Sequence, residues 1–320
     1  MMSECTGYTV ATPLPWIVAG WHFWSGMVAT SVTDFQITGI LCLVLYLILA
    51  LATASRLYLH IRHSSGTPRV VFHVVLLMVV LFSMPKPIVY ICAPTTEMWI
   101  MAFITSLCGM LLLNMALSYV CVEWSAVAST GRTIGRLPAD HGPLRTIVIV
   151  ANVGVLAWAA VTCFSIVSFP DTTAGEDAFY RSALCASLVV VGSLIFLATT
   201  FLLMAQGLKI RSRLLESQRF VSQENVQRSM VKLVLSVSVI TLTTWVRLTF
   251  NLLAVFGVAG FADMPLLPYE VWSNLVPTVF PVLCLLYLQR RLPLEPTDTG
   301  DGCAMTTLPT TMISTIYANP

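Results

Sequence analysis

Charged side chains are scarce in this chain. Asp, Glu, Lys and Arg make up 10% of its 320 residues, whereas an average soluble domain carries about 25%. Apolar residues make up 57%, which excludes an ordinary soluble domain. The apolar residues form long runs rather than the alternating ten-residue segments of an outer-membrane barrel. We therefore predict an all-α, polytopic membrane protein whose helices contact the lipid bilayer.

Sequence motifs for catalysis are also absent. The chain has no nucleophile–base signature, no Gly-rich phosphate loop and no HExxH motif. His60, His63 and His73 fall near the same ends of the first two apolar runs, but no carboxylate motif accompanies them, which disfavours a metal site. The net charge of +2 does not point to nucleic acid. We predict a non-enzymatic protein with no catalytic residues, no cofactor, no metal and no nucleic-acid partner.

Seven apolar runs are long enough to cross a bilayer, which takes about 20 helical residues. Pro85 and Pro87 in the second run, and Pro277 and Pro281 in the seventh, predict kinks or breaks, because proline lacks an N–H and clashes with the preceding turn. We predict seven transmembrane helices at Phe35–Leu59, Val70–Ile91, Trp99–Val122, Ile147–Ser168, Ala183–Gln206, Val231–Phe256 and Tyr269–Leu288.

The basic residues predict the orientation of the chain. Of the 17 Lys and Arg, 14 fall on one side of the predicted bundle. Arg181 lies on the other side, Lys86 lies near that side, and Arg247 lies inside the sixth run. Loops with such an excess of Lys and Arg stay in the cytosol. We therefore expect an outer or lumenal N-terminus and a cytosolic C-terminus.

The chain is predicted to have three parts. Residues 1–33 contain Trp16, Trp21 and Trp24, and tryptophan favours the membrane interface, so we expect an interfacial segment there. Residues 34–292 form the seven-helix domain. Residues 293–320 are rich in Thr, Pro and Gly and are predicted to be a disordered cytosolic tail.

A polar cluster is predicted in the outer half of the bundle. Arg247 lies well inside its apolar run, where a charge costs about 2.5–3.5 kcal/mol, so we expect it to face other helices. The other candidates are Asp34, just before the first predicted helix, and Lys86, Asn251, Glu270 and Asn274 in the second, sixth and seventh predicted helices. One interpretation is an ion-pair network that fixes helix register. The other is a ligand or ion pocket, in which the cationic excess favours an anionic group.

The longest predicted cytosolic loop, Gly207–Met230, is basic and has the composition of a helix. One interpretation is that the fifth and sixth helices extend past the membrane. The other is a docking surface for a cytosolic protein, with Arg211, Arg213 and Arg219 as basic contacts.

A second candidate group lies at the predicted inner face. Glu123 comes near the end of the third helix, and Arg132 and Arg136 follow it in a loop. Glu123 is expected to form an ion pair that holds this loop, or else to belong to the surface that the two arginines offer to a partner.

The layout of seven helices with an outer N-terminus matches that of G-protein-coupled receptors, but the receptor motifs are missing. The third helix ends in Val122-Glu123-Trp124 instead of Asp/Glu-Arg-Tyr, and the seventh has no Asn-Pro-x-x-Tyr. The rhodopsin-like family is therefore disfavoured.

A different resemblance rests on short elements in a fixed order. They are Val70-Val71-Phe72-His73, Lys86, Glu123 with the loop ending Arg136-Leu137-Pro138, Trp245-Val246-Arg247, and Pro281 followed by Leu288-Gln289-Arg290-Arg291-Leu292-Pro293. Over roughly residues 35–293 the chain resembles the plant tobamovirus multiplication protein family (the THH/TOM-like domain) and related animal orphan seven-helix proteins of the lysosomal membrane. It departs from that family at Thr278, where an acidic residue is expected.

The resemblance implies a non-catalytic protein of a vacuolar, lysosomal or related endomembrane, more than of the plasma membrane, with Arf-like small GTPases as partners. Our first hypothesis is a scaffold that recruits such a GTPase, or another peripheral protein, through its cytosolic loops. The second is a ligand-sensing seven-helix receptor that uses the outer polar cluster. The third, a transporter, is disfavoured because the halves show no inverted repeat.

Overall fold

A computed structural model of the chain describes residues 32–64, 66–92, 98–130, 142–180, 182–216, 223–255 and 264–289. These residues form helices, and seven helical segments among them are long and apolar enough to cross a membrane. The seven predicted transmembrane helices are therefore confirmed, and the chain is an integral multi-pass membrane protein. The predicted interfacial segment and tail lie outside the described residues, except that the first helix already begins at Val32.

We refer to the seven membrane-crossing segments as spans 1 to 7. Span 1 is Val32–Arg62, span 2 is Thr67–Ser83 with Pro85–Cys92, span 3 is Trp99–Thr130, span 4 is Gly142–Ile166, span 5 is Ala183–Glu216, span 6 is Gln223–Val255, and span 7 is Leu266–Glu270, the π-helical turn Val271–Leu275 and Val276–Leu288. A short helix, Thr173–Tyr180, lies between spans 4 and 5.

Span 2 is broken at Met84, as its prolines predict. Pro85 has no N–H to give to the carbonyl oxygen of Leu81 one turn earlier. The backbone N–H of Met84 bonds that oxygen instead, at 3.3 Å. The helix restarts at Pro85, a position that suits proline because the first turn of a helix needs no N–H.

Span 7 is irregular near one of its two prolines. The helix Val276–Leu288 continues through Pro281 without a break. The irregular turn precedes Pro277: the backbone N–H of Val276 bonds the oxygen of Val271, five residues earlier. Pro277 cannot donate to the carbonyl oxygen of Ser273, and a local π-helical turn is one way in which membrane helices absorb such a loss.

The largest apolar core is built by six of the spans, with side chains such as Leu76, Leu117 and Leu285 almost fully buried at its centre. Span 4 packs at the side of this group, where Val155 and Ala159 contact spans 3 and 5. Its outer face is apolar and open, with Phe164 84% exposed. An apolar face of this kind is stable against lipid rather than water.

Buried hydroxyl groups largely satisfy their hydrogen-bonding needs within their own helices. The side chains of Thr53, Thr200 and Thr244 each donate to a carbonyl oxygen four residues earlier, at 2.7–2.8 Å. Such bonds allow Ser and Thr to lie in hydrocarbon, where an unpaired polar group is costly.

Two glycines allow spans 1 and 3 to approach span 2 closely. A Cβ atom on Gly39 would lie 2.7 Å from the carbonyl oxygen of Pro87, and one on Gly109 would lie 3.3 Å from the carbonyl oxygen of Val79. Both contacts flank the break at Met84, and they fix the position of the Pro85–Cys92 helix that carries Lys86.

Candidate functional site

An ion pair joins spans 2 and 7 where the prediction placed the polar cluster. The Lys86 Nζ atom donates to Glu270 Oε1 at 2.5 Å, and the side chain of Glu270 is only 5% exposed. The Tyr90 hydroxyl donates to the same oxygen at 2.8 Å, and Asn274 Nδ2 donates to Oε2 at 2.8 Å. Glu270 therefore has three donors, which is the condition under which a buried carboxylate is tolerated.

Arg247 lies at the centre of the bundle and is 5% exposed. Its Nε donates to the carbonyl oxygen of Ser273 at 3.1 Å, and its Nη2 donates to the carbonyl oxygen of Asn274 at 3.2 Å and to Thr278 Oγ1 at 2.7 Å. Because Pro277 leaves the Ser273 oxygen without its usual partner, the guanidinium supplies the missing donor. Arg247 thereby stabilises the irregular turn of span 7 by a hydrogen bond to its backbone.

A small cavity of about 40 Å³ lies between these groups. Its walls come from spans 1, 2, 3, 6 and 7, and the lining residues include Cys42, Tyr46, Ser83, Lys86, Tyr90, Ser106, Arg247, Glu270, Asn274 and Thr278. Sites for drug-sized ligands measure about 300–1,000 Å³, so this cavity fits only a few water molecules or a small ion.

The structure brings most of the predicted polar cluster together. Lys86, Glu270, Asn274 and Arg247 all line the cavity. Asn251 is half-buried and does not line it, and Asp34 is exposed at the start of span 1. Among the described residues, no hydrogen bond joins Asn251 to Arg247.

Three residues that complete the site were not predicted from the sequence, namely Tyr90, Ser273 and Tyr46. Tyr90 is one helical turn from Lys86, a spacing that places both side chains on one face, so its position at the site could have been predicted. The Ser273 carbonyl oxygen could also have been predicted as a free acceptor, because Pro277, four residues later, has no N–H to donate to it. The position of Tyr46 could not, since its place at the cavity depends on how span 1 packs.

A buried pair of histidines lies at the basic end of the bundle, by which we mean the side where 14 of the 17 Lys and Arg are predicted to fall. The rings of His60 and His73 are 4.3 Å apart between centroids, and both side chains are fully buried. His73 Nδ1 lies 2.8 Å from the carbonyl oxygen of Arg69, which favours the tautomer with its proton on Nδ1. His63, the third candidate, is exposed. Within the described ranges, no group of three or more His, Cys, Asp or Glu side chains is placed to hold a metal ion.

Glu123 accepts a hydrogen bond from the hydroxyl of Tyr119, one turn earlier on span 3. Arg132 and Arg136 lie outside the described residues, so the ion pair predicted between Glu123 and this loop stays a prediction.

Spans 5 and 6 are longer than a bilayer requires. Span 5 has 34 residues and span 6 has 33, about 50 Å each against about 30 Å of hydrocarbon. Both helices therefore continue into the predicted loop Gly207–Met230, one as far as Glu216 and the other from Gln223, and the docking role of this loop stays a prediction. Arg211 is exposed on it and Arg213 is half-buried, whereas Arg219 lies outside the described residues.

No family model, curated protein or solved structure matches this chain.

Proposed function

We propose that this chain is a non-catalytic endomembrane platform. In this proposal its basic end faces the cytosol and recruits a peripheral protein, with an Arf-like small GTPase as the first candidate. The observation that supports it is the pair of extended helices at the ends of spans 5 and 6, which we call the platform (residues 207–216 and 223–232).

The platform is packed into the largest apolar core, which makes it a rigid element. Ile210 and Leu214 of span 5 and Val226 of span 6 are buried in that core. A helical pair with packed side chains loses little conformational entropy when it binds a partner. This rigidity favours a docking role over that of a passive connection.

The surface of the platform is strongly basic. Lys209 and Arg211 are exposed on span 5, and Arg228 is exposed on span 6, where it pairs with Glu224 at 2.6 Å. Positive potential on a surface steers an acidic partner and increases its association rate. The chemistry of the platform therefore favours a protein with an acidic contact face, attached to the same membrane.

A binding assay with charge-reversal variants tests this proposal. The full chain in lipid nanodiscs is mixed with Arf-like GTPases loaded with GDP or with a non-hydrolysable GTP analogue, and the Kd is measured. The double variant Arg211→Glu and Arg213→Glu is expected to bind at least tenfold more weakly, since close charge pairs at interfaces contribute roughly 1.5–7 kcal/mol.

The matched control is Arg62→Glu, an exposed arginine at the end of span 1. It makes the same type of charge change at the same end of the bundle, away from spans 5 and 6. The platform has no role in GTPase recruitment if the double variant and wild type have the same Kd for every tested GTPase. The same conclusion follows if wild type binds none of them.

The second candidate is a ligand-sensing receptor, and the cavity around Arg247 favours it. Span 6 carries Arg247 at the cavity and Arg228 on the platform, 19 residues or about 28 Å apart. A ligand that shifts span 6 would therefore move the platform. If the chain is a receptor, Arg247→Leu leaves it folded but abolishes any ligand-dependent change in partner affinity. If the chain is only a recruiting platform, the same substitution lowers the stability of the fold and does nothing else.

A further inference from the structure

The cavity carries an uncompensated positive charge. Two cations, Lys86 and Arg247, and one carboxylate, Glu270, line it. Glu270 is paired with Lys86, and no carboxylate of the described residues lies within 4.0 Å of the Arg247 guanidinium. A buried ion in an apolar bundle is costly unless it has a counter-ion as well as hydrogen bonds.

Donor groups remain available at this charge. The three hydrogen bonds of Arg247 use Nε and Nη2, so Nη1 makes no hydrogen bond to any described residue. Lys86 uses one of its three N–H bonds for Glu270. Both side chains line the cavity, and Arg247 is only 5% exposed.

The volume of the cavity limits what can bind there. About 40 Å³ admits roughly three water molecules, at 10–15 Å³ each. That space accepts one halide-sized ion with little water, whereas a lipid headgroup or a drug-sized ligand is too large.

We propose that a small monovalent anion of halide size binds in this cavity as the counter-ion of Arg247. The anion accepts hydrogen bonds from Arg247 Nη1 and from the free N–H bonds of Lys86. Glu270 faces the same cavity, but its oxygens already accept hydrogen bonds from Lys86, Tyr90 and Asn274, which screens its charge. The proposal does not depend on platform binding.

Halide titration of the purified full chain tests this site. Thermal unfolding in nanodiscs is followed in sodium chloride, bromide and nitrate, with sodium gluconate, which is too large for the cavity, at equal ionic strength. Chloride and bromide are expected to raise Tm in a saturable way, because a ligand that binds only the folded state stabilises it by mass action. Bromide should also give an anomalous diffraction peak, or a matching density, beside Arg247.

A matched pair of variants at Thr278 separates an anion site from a general salt effect. Thr278→Asp supplies a fixed carboxylate at the residue whose hydroxyl now accepts a hydrogen bond from Arg247 Nη2 at 2.7 Å, so we expect it to abolish the halide-dependent rise in Tm while the chain stays folded. Thr278→Val removes the hydroxyl but leaves the positive charge uncompensated, and it should retain the rise. Arg247→Gln should lose halide binding at least tenfold, and the exposed Arg228→Gln should have no effect.

Two results would overturn the proposal. The first is an equal Tm in halide and gluconate with no bromide signal at the cavity, which would mean that only water fills it. The second is a halide response in Thr278→Asp equal to that of wild type, which would place the ion elsewhere. If Arg247→Gln fails to fold, the comparison between Thr278→Asp and Thr278→Val still tests whether the halide binds at Arg247.

Discussion

At the scale of single residues, the site depends on a mutual requirement between Arg247 and Pro277. A guanidinium in hydrocarbon needs acceptors, and a proline inside a helix leaves a carbonyl oxygen without a donor. The contact between Arg247 Nε and the Ser273 oxygen, at 3.1 Å, meets both needs. Arg247 therefore joins spans 6 and 7 through backbone oxygens and the Thr278 hydroxyl, and not through an ion pair with an acidic side chain of the described residues.

The first prediction concerns the bond between Arg247 and Thr278. Arg247→Leu should destabilise the chain by about 1–3 kcal/mol, because it leaves buried carbonyl oxygens without a donor. Polar pairs between membrane helices contribute about 0.6 kcal/mol on average and 1.7 at most. A double-mutant cycle with Thr278→Val, measured by reversible unfolding in mixed micelles, should give a coupling energy in that range. A coupling of zero would mean that the two side chains do not meet.

The second prediction concerns the ion pair between Lys86 and Glu270. Lys86→Met leaves a buried carboxylate without its cation, which should cost about 3–5 kcal/mol, whereas the double variant with Glu270→Gln removes both charges and should cost clearly less. Unfolding of the two variants and wild type compares these losses. Equal losses in the single and the double variant would show that the pair is exposed to water and contributes little.

At the scale of the helices, span 2 determines where the cavity forms. The break at Met84 turns the Pro85–Cys92 helix so that Lys86 and Tyr90 both reach Glu270. Gly39 and Gly109 hold this region against spans 1 and 3. The cavity therefore depends on close backbone packing as well as on the polar side chains that line it.

A pair of glycine substitutions tests this packing. Gly39→Ala would place a Cβ atom 2.7 Å from the Pro87 carbonyl oxygen, an overpacking that should cost about 1–3 kcal/mol. Gly154 on span 4 has no atom within 4 Å of the added Cβ, so Gly154→Ala should be neutral or stabilising, because alanine favours helix by up to about 1 kcal/mol. Comparing Tm of the two variants checks the prediction, and an equal Tm would contradict the close approach of spans 1 and 2.

The sequence was sufficient for the helices and for part of the site. Run length and hydropathy predicted all seven spans, and Pro85 predicted the break in span 2, because these are local properties of the backbone. The π-helical turn before Pro277 was not predicted, since a proline is compatible with a kink, a break or a widened turn. The choice depends on whether another helix supplies a donor, here Arg247. Tyr46 and the close contact at Gly39 depend on tertiary packing and leave no local signal.

At the scale of the whole molecule, the charges divide the protein into two ends. The platform and the ends of spans 1 and 2 carry the basic residues, and the ion pair and the cavity lie nearer the opposite end. If the basic end faces the cytosol, as positively charged loops generally do, the cavity lies nearer the lumen or the exterior. In that orientation, the long helix of span 6 connects the cavity around Arg247, on the outer side, to the platform on the cytosolic side.

The orientation can be measured with tags and impermeant labels. A C-terminal tag and a cysteine introduced at Lys209 should both react from the cytosolic side of sealed vesicles, and an N-terminal tag should react only after the membrane is opened. Protease protection of the same vesicles provides an independent readout. Reaction of the two ends from the same side would contradict an odd number of membrane crossings.

The most direct test of the account is an experimental structure of the full chain in lipid nanodiscs, with density for the side chain of Arg247. We predict that the guanidinium lies between spans 6 and 7, within hydrogen-bonding distance of the Ser273 and Asn274 carbonyl oxygens and of the Thr278 hydroxyl. A guanidinium that points into the lipid, or an unbroken α-helix from Leu266 through Pro277, would contradict it.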